Sequence, residues 1–444
     1  MSKHVVIVGG GLSGLAAGVA LAPRGIRVTI LEQKPALGGR AYSFKDHVTG
    51  DTIDNGQHVL IAGYERTMHF LETIGTRGML RVQRTPSLFF HHPQRSFQEF
   101  QLPLLPSPFN LLIGILQCRL FSLADKFRLI RAGLSLRSLS PSHEEHLASQ
   151  TIEQWLKEVG QSNECVCSFW EPLAVSIMNE RIEKASALVF VRALRKAFVG
   201  SSRNAALALP SVGLSQLYVD GAKHFITLYG GVIRCNADSE EVLVGASLAT
   251  GVKLKGGDEI QADAIILAIP PHKLVQILPD QLKKTLSSIA NLDSSPIVSI
   301  HLWFDEEFMG HEFVGLIGKR IQWLFNKRKI NNERGKGVHV SGVISGAYGF
   351  VDKTKDELVQ IAMDDIREVY RNLRGEPFHA VVVREKAATY SSNPECERLR
   401  PENETSIPNL FLAGDWTATG YPATIESAVM SAESASRCLL EYFE

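Results

Sequence analysis

The sequence predicts an α/β chain: a discontinuous nucleotide-binding domain built on a parallel sheet, with a second, α+β domain inserted into it. Three observations predict this. The chain opens on a strand-length apolar run, His4 to Val8, that meets glycines spaced G-x-G-x-x-G at Gly9, Gly11 and Gly14. A small-residue helix follows (Leu15, Ala16, Ala17, Val19, Ala20, Leu21), then a second strand, Ile26 to Leu31, that ends at Glu32. Near the C-terminus another apolar strand, Leu410 to Leu412, delivers Ala413-Gly414-Asp415. Much of the chain between lacks βα alternation, which marks an insertion.

The opening motif is of the Rossmann type. Gly9 permits the tight turn, Gly11 lets a diphosphate approach the backbone, and Gly14 lets helix and strand pack closely. The amides of the helix start, at Leu12 and Ser13, and the positive helix dipole hold the anion without a cationic side chain. Glu32 sits where a carboxylate accepts from ribose hydroxyls. Gly38-Gly39-Arg40 suggests a second backbone stretch along the same diphosphate, with a guanidinium to offset its charge. Asp415, at the carboxyl end of a sheet strand, is placed to accept from ribityl hydroxyls. Thr424 and Ile425 open a helix whose N-terminus, aimed at a flavin pyrimidine edge, would stabilise negative charge on a reduced ring. This pairing points to flavin adenine dinucleotide, FAD, rather than a nicotinamide.

Composition sets the outer limits. The 444 residues suit two domains with a large core. Lysine plus arginine equals aspartate plus glutamate at 47 each, so charge gives no reason to expect a nucleic-acid partner. The six cysteines are scattered, and Cys165-Val166-Cys167 is neither a zinc nor a redox spacing, so no metal is expected. No apolar run reaches the roughly 20 residues of a membrane span, and the first is the nucleotide-binding strand, not a leader. The expectation is a cytoplasmic protein, free or peripheral on the inner face of the cytoplasmic membrane.

Taken in order, Asp54-Asn55-Gly56-Gln57-His58 forms a short turn that can run beside the cofactor, with Gly56 and Gln57 as candidate contacts. His58 is the one residue there suited to proton transfer near neutrality, or it simply bonds a backbone carbonyl. Residues 64–74 have helical spacing. From Leu102 to Leu139 prolines open an apolar segment carrying Arg119, Lys126, Arg128, Arg131 and Arg137 against Asp125. Such a stretch, 109–139, can lie in a lipid interface or roof an internal cavity. Thr151 reads as a helix cap, and the roughly 130 residues after Gly75, onward through Phe198, read as mostly helical and apolar. Residues 241–256 suggest a hairpin, Ala262 to Ile269 a buried strand stopped by Pro270 and Pro271 and returning to the parallel sheet, and 297–304 and 338–344 strands of the second domain. Residues 357–373 form an amphipathic helix. The domains are then 1–75, 205–290 and 400–444 for FAD, with 76–204 and 291–399 for substrate.

The fingerprint, Gly38-Gly39-Arg40, Ala413-Gly414-Asp415 and Pro422 to Ala428 together resemble the flavin amine oxidase and carotenoid desaturase superfamily. Asp54 to Leu60, Trp170-Glu171-Pro172-Leu173, His301-Leu302-Trp303-Phe304, Gln322-Trp323 and Gly414 to Thr419 are similar to its squalene-associated branch, the hydroxysqualene dehydroxylases. The resemblance runs through nearly the whole chain. It implies an amine oxidase/phytoene desaturase-like fold and a flavoenzyme of squalene and hopanoid biosynthesis. Hydroxysqualene would lose its hydroxyl to give squalene by hydride transfer from reduced flavin N5. That chemistry asks for a greasy tunnel, shielding from water and an acid, for which His58 and Glu171 are the candidates.

Ser239 stands where relatives carry a valine near the adenine, and Ala432 where a glycine is common. Cys396 has no covalent-flavin motif around it, so the FAD is expected to be non-covalent. One nucleotide fingerprint argues against a permanent nicotinamide site and names no electron donor; NADPH or a ferredoxin docking transiently is compatible with it. The competing readings are a carotenoid or phytoene desaturase, an amine oxidase with Trp416 and Tyr421 as an aromatic cage, and a non-catalytic prenyl-lipid carrier.

Overall fold

The computed structural model describes residues 2–136, 139–333 and 337–444. Arg137, counted above in the basic segment, lies outside the described residues. Five parallel strands form the central sheet, in the order Val232–Arg234, Arg27–Leu31, His4–Val8, Ala264–Leu267, Leu410–Leu412. Every residue of the opening strand is buried. A parallel sheet is covered on both faces, so its strands read as continuous apolar runs without alternation. Helix Leu12–Leu21 and the closing helix Ile425–Phe443 pack against each other on one face, through Leu15, Val19, Val429, Ala432 and Leu439. The first and last motifs of the sequence therefore meet on one side of the sheet.

The second sheet has seven strands: His379–Tyr390, Ser294–Phe304, Val338–Ser345, Trp323–Asn326, Phe313–Leu316, Ser87–His92 and Ser96–Gln101. Side chains alternate between its faces. Val298, Ile300, Leu302, Phe304, Val340 and Ile344 pack on helix Lys355–Val369. The other face carries Ser299, His301 and Trp303, paired across the strands with Val343, Ser341 and His339. Ser299 lies beneath the 54–60 stretch, its Oγ 3.9 Å from where a Cβ on Gly56 would stand.

A helical layer packs against the edge of the seven-stranded sheet through Phe90 and Phe100. Phe100, Phe121, Phe169, Trp170, Trp155 and Phe190 interlock edge to face at its centre. Thr151 makes a capping box with Gln154 at the start of Ile152–Glu158, as its sequence signature asks. The hairpin Ser87–Gln101 corrects the helical reading of that region: its strands pair from Ser87 with Gln101 to His92 with Ser96, bury Phe90 and Phe100, and join the seven-stranded sheet. Among the described residues no helix is long and apolar enough to cross a membrane.

His301 and His339 are both buried on the inner sheet face, their rings bonded Nδ1 to Nε2 at 3.1 Å. Burial pushes His301 down to about 3, and burial with the nearby His301, Lys327 and Arg328 pushes His339 well below its ordinary value. Both are neutral in the folded protein and titrate near 6.5 once unfolded. Their contribution to stability is complete above about pH 6.5 and is lost as the pH falls, because the unfolded chain then takes up the protons. Each imidazole is expected to cost about 1.4 kcal/mol per pH unit below that point, read as a fall in denaturation midpoint between pH 7 and pH 5.

Candidate functional site

The glycine turn is held by contacts no side chain could share. A Cβ on Gly14 would stand 1.9 Å from the Gly9 carbonyl oxygen, and one on Gly9 (φ +110°) 2.4 Å from that of Ala268. The Gly9 amide donates to Leu31 at 2.7 Å, which ties the turn to the second strand. Glu32 is buried at that strand's end. One of its carboxylate oxygens accepts from the Gly10 amide and the other from the Lys34 amide, both at 2.8 Å. The carboxylate is thus aimed by backbone, and each oxygen retains a lone pair for a hydroxyl donor.

The second glycine pair lies directly on the first loop. Gly38 donates to the Gly10 carbonyl at 2.9 Å and bridges Gly11, while a Cβ on Gly39 would stand 3.1 Å from the Gly11 Cα. Two bare backbones face each other, with Arg40 at the end of the second. Its guanidinium reaches Asp415 at 2.6 Å and the Ala388 carbonyl at 2.8 Å. Arg40 lies deep among protein atoms, yet 40% of its side chain touches open space, as it does for a residue lining an internal cleft. The opening loop and the closing acid, far apart in sequence, meet at this ion pair.

The closing turn is braced by a residue the sequence reading missed. The Arg400 side chain is fully buried and donates to the carbonyls of Asp415 (3.2 Å) and Tyr421 (2.9 Å), to the Thr419 hydroxyl (2.8 Å) and to Glu397 (2.7 Å). Its guanidinium also lies 4.8 Å from the centre of the Tyr390 ring. Thr424 caps the closing helix, its hydroxyl accepting from the Ser427 amide at 3.2 Å, and Ile425 is the first helical residue. Buried Glu426 caps the helix Glu65–Thr73 in turn, accepting from Arg66 and from the amide and hydroxyl of Thr67. A Cβ on Gly414 would meet the Trp416 indole at 2.2 Å, which fixes the turn before Asp415.

The stretch after strand Thr52–Asp54 runs through the interior. Asp54 is buried against the equally buried Lys327, with Oδ2 to Nζ at 3.1 Å, and also accepts from Ser43 and from the Leu214 amide. Burial pushes the Asp54 carboxyl up, but the Lys327 ammonium and these hydrogen bonds outweigh it and leave it below its ordinary value. Lys327 also donates to Gln57 Oε1 at 2.9 Å. The four residues from Gly56 to Val59 are each partly accessible. An apolar wall adjoins them: Val59, Leu207, Phe313, Phe325 and Trp323 belong to one cluster.

His58 Nδ1 stands 3.0 Å from the Gly56 carbonyl. A carbonyl only accepts, so Nδ1 carries the proton and neutral His58 presents a bare Nε2. Burial, with Lys327 and Arg40 nearby, pushes its pKa down against the pull of the Gly56 carbonyl and Asp54. As a proton donor it is therefore poorly placed; as an acceptor it is well placed. Glu171 opens the exposed end of helix Glu171–Met178. Desolvation and Glu183 raise its pKa, but no hydrogen bond or ion pair among the described residues joins it to the cradle. Of the other candidates, Gly9 to Gly14 and Gly38 to Arg40 form the two facing loops, Glu32 meets the first of them, Gly414, Asp415, Thr424 and Ile425 form the closing turn and helix start, and Gly56 and Gln57 lie in the stretch held by Lys327.

Ser239 begins a strand whose hydroxyl is buried without a partner; the backbone beside Glu32 is that of Ala237, whose amide donates to the Glu32 carbonyl at 2.9 Å. Cys396 is buried and free, with burial the chief cause of its raised pKa.

Known proteins are similar to this chain over nearly its whole length. A hydroxysqualene dehydroxylase of Sinorhizobium fredii (strain NBRC 101917 / NGR234) is 28% identical, with 98% of each chain covered. A 15-cis-phytoene desaturase of Synechococcus elongatus is 22% identical over 98% of this chain and 96% of its own. An oxidoreductase from Methanosarcina mazei superposes with a TM-score of 0.76 at 16% identity, covering 98% of this chain and 100% of its own. The family described as flavin containing amine oxidoreductase matches residues 12–440. A match that begins at the first helix of the cradle and ends within the last turns of the closing helix shows the family: this chain belongs to the flavin containing amine oxidoreductases, and the paired glycine loops suit their cofactor as FAD.

Proposed function

We propose that this protein is an FAD-dependent oxidoreductase that removes the hydroxyl of hydroxysqualene to give squalene. The observation that carries the proposal is the apolar wall of Val59, Leu207, Phe313, Phe325 and Trp323, continuous through Val59 with the polar, partly accessible stretch Gly56 to His58. A long hydrocarbon with a single hydroxyl suits such a lining. The end-to-end likeness to hydroxysqualene dehydroxylases supports the same substrate class.

The residues present fit FAD. Two glycine backbones in contact would leave no side chain between loop and diphosphate, Glu32 has lone pairs to offer a ribose, and the Arg40–Asp415 pair would hold the ribityl hydroxyls. Reduced FAD, when bound, would supply the hydride that replaces the hydroxyl at carbon, and the hydroxyl would leave as water with one proton taken from the medium. The chain's own contribution is to orient the alcohol, to keep water from an allylic cation with apolar walls, and to hold the cofactor rigidly. Asp415→Ala is expected to weaken FAD retention at least about tenfold, since a charge-assisted contact is lost. FAD content after dialysis measures this, and full occupancy in the variant would remove Asp415 from the site.

The test of the function is anaerobic incubation of chemically reduced, FAD-loaded protein with hydroxysqualene. Squalene in proportion to bound flavin is the expected product. Unchanged alcohol, with phytoene instead desaturated by the oxidised protein, would favour the desaturase branch.

A membrane surface is the proposed source of so apolar a substrate. Helices Phe109–Gln117 and Leu123–Ser135 expose Phe109 (59%), Leu123 (76%) and Phe127 (75%) beside Arg119, Arg128 and Arg131. An apolar face fringed by cations suits the anionic inner face of the cytoplasmic membrane. Leu123→Glu with Phe127→Glu is expected to lower co-sedimentation with anionic vesicles at least about tenfold, through lost apolar burial and added repulsion. Undiminished binding would place the contact elsewhere.

A further inference from the structure

The Gly56 to His58 stretch carries a donor and an acceptor on consecutive residues. Lys327 Nζ has only hydrogens to offer, so it takes Gln57 by its oxygen, Oε1, at 2.9 Å. That fixes the amide the other way round: Nε2 points away from Lys327, and one of its hydrogens reaches the His58 carbonyl at 3.2 Å. Its second hydrogen has no partner within the described hydrogen bonds. The next residue, His58, is fixed by its own neighbour. Nδ1 is committed to the Gly56 carbonyl, so Nε2 is an acceptor.

The orientation is not local to the loop. Lys327 is itself pinned by buried Asp54, which is anchored to Ser43 and to the Leu214 amide, so the amide of Gln57 is set by a network spanning both domains. Both residues stay partly accessible while Val59, next in line, packs on the apolar wall.

Resting on the function proposed above, we infer that Gln57 and His58 form the subsite for the substrate hydroxyl, with Gln57 Nε2 donating a hydrogen bond to its oxygen, His58 Nε2 accepting a hydrogen bond from its O–H, and Lys327 as the positioning residue. An alcohol is the group that matches one donor and one acceptor at once. The site assigns selectivity for the alcohol over the hydrocarbon it becomes: a hydrocarbon leaves both polar groups desolvated and unpaired, which disfavours product retention.

The experiment uses oxidised, FAD-loaded protein, in which no turnover occurs, and measures dissociation constants for hydroxysqualene and squalene from the perturbation of flavin absorption. The wild type is expected to prefer the alcohol at least about tenfold, the scale of one satisfied hydrogen-bonding pair. Gln57→Leu and Gln57→Glu should each reduce the preference to near unity, the second because a carboxylate pairs with Lys327 and has no hydrogen to offer. His58→Phe should reduce it as well. A purely structural role would weaken both ligands equally and leave the ratio unchanged. A preference retained in all three variants, or equal affinities in the wild type, overturns the subsite and leaves the hydroxysqualene reading standing. Binding of neither compound by the wild type overturns that reading itself.

Discussion

Gly14→Ala is expected to give protein without FAD, and to leave little of it folded. The added methyl would stand 1.9 Å from the Gly9 carbonyl oxygen, a contact that only backbone movement relieves. The two residues bracket the turn, and Gly9 cannot yield because its own α-carbon faces the Ala268 carbonyl. Overpacking of this kind costs about 1–3 kcal/mol where a core can adjust, and more where, as here, backbone meets backbone. The loss should be visible twice, as colourless protein and as a lower denaturation midpoint. Gly25→Ala is a useful contrast, because a Cβ there meets nothing within 4 Å and the strain is confined to its left-handed φ of +74°. It is expected to cost about 1 kcal/mol or a little more and to keep its flavin.

Lys327→Met is the second large effect. Lys327 and Asp54 are each almost wholly buried, and the ion pair joins the nucleotide-binding segment to the seven-stranded sheet. Removing the ammonium leaves a carboxylate in the interior with only the Ser43 hydroxyl and the Leu214 amide as partners. Breaking a buried pair from one side costs about 3–5 kcal/mol, far more than the pair itself contributes over a well-packed apolar substitute. Lys327→Met combined with Asp54→Asn should therefore recover part of the loss. Denaturant unfolding of the four proteins measures the coupling, and purely additive changes would show that the two charges do not depend on each other.

How much was legible in the sequence follows from where each interaction lies along the chain. The cradle is legible because its physics is local: Gly9, Gly11 and Gly14 must be glycines for reasons within one turn, and Glu32 ends the very next strand. Asp415 is legible because an acid after an apolar strand has a defined place in a parallel sheet. Lys327 was not, since nothing near it in sequence distinguishes it from Arg328 or Lys329; only the fold brings it beneath Gln57. Arg400 was hidden for the same reason, its role being to gather carbonyls from Asp415 and Tyr421 after the chain has turned back. His58 was found by its residue type, but its protonation depends on the Gly56 carbonyl and on burial, which a sequence does not display. The hairpin Ser87–Gln101 was overlooked because its apolar residues, Leu88-Phe89-Phe90 in a row and Phe97 and Phe100 three apart, show no period of two.

The claim on which the rest stands is that two loops grip one molecule, the first by its diphosphate and the second by its ribityl end. Titration of deflavinated protein with FAD, with FMN and with ADP tests it most directly. FAD should bind at least about a hundredfold more tightly than either part, because joining two halves in one rigid cradle makes their contributions cumulative. FMN binding as tightly as FAD would mean that the Gly9 to Gly14 turn holds nothing, and would contradict the account.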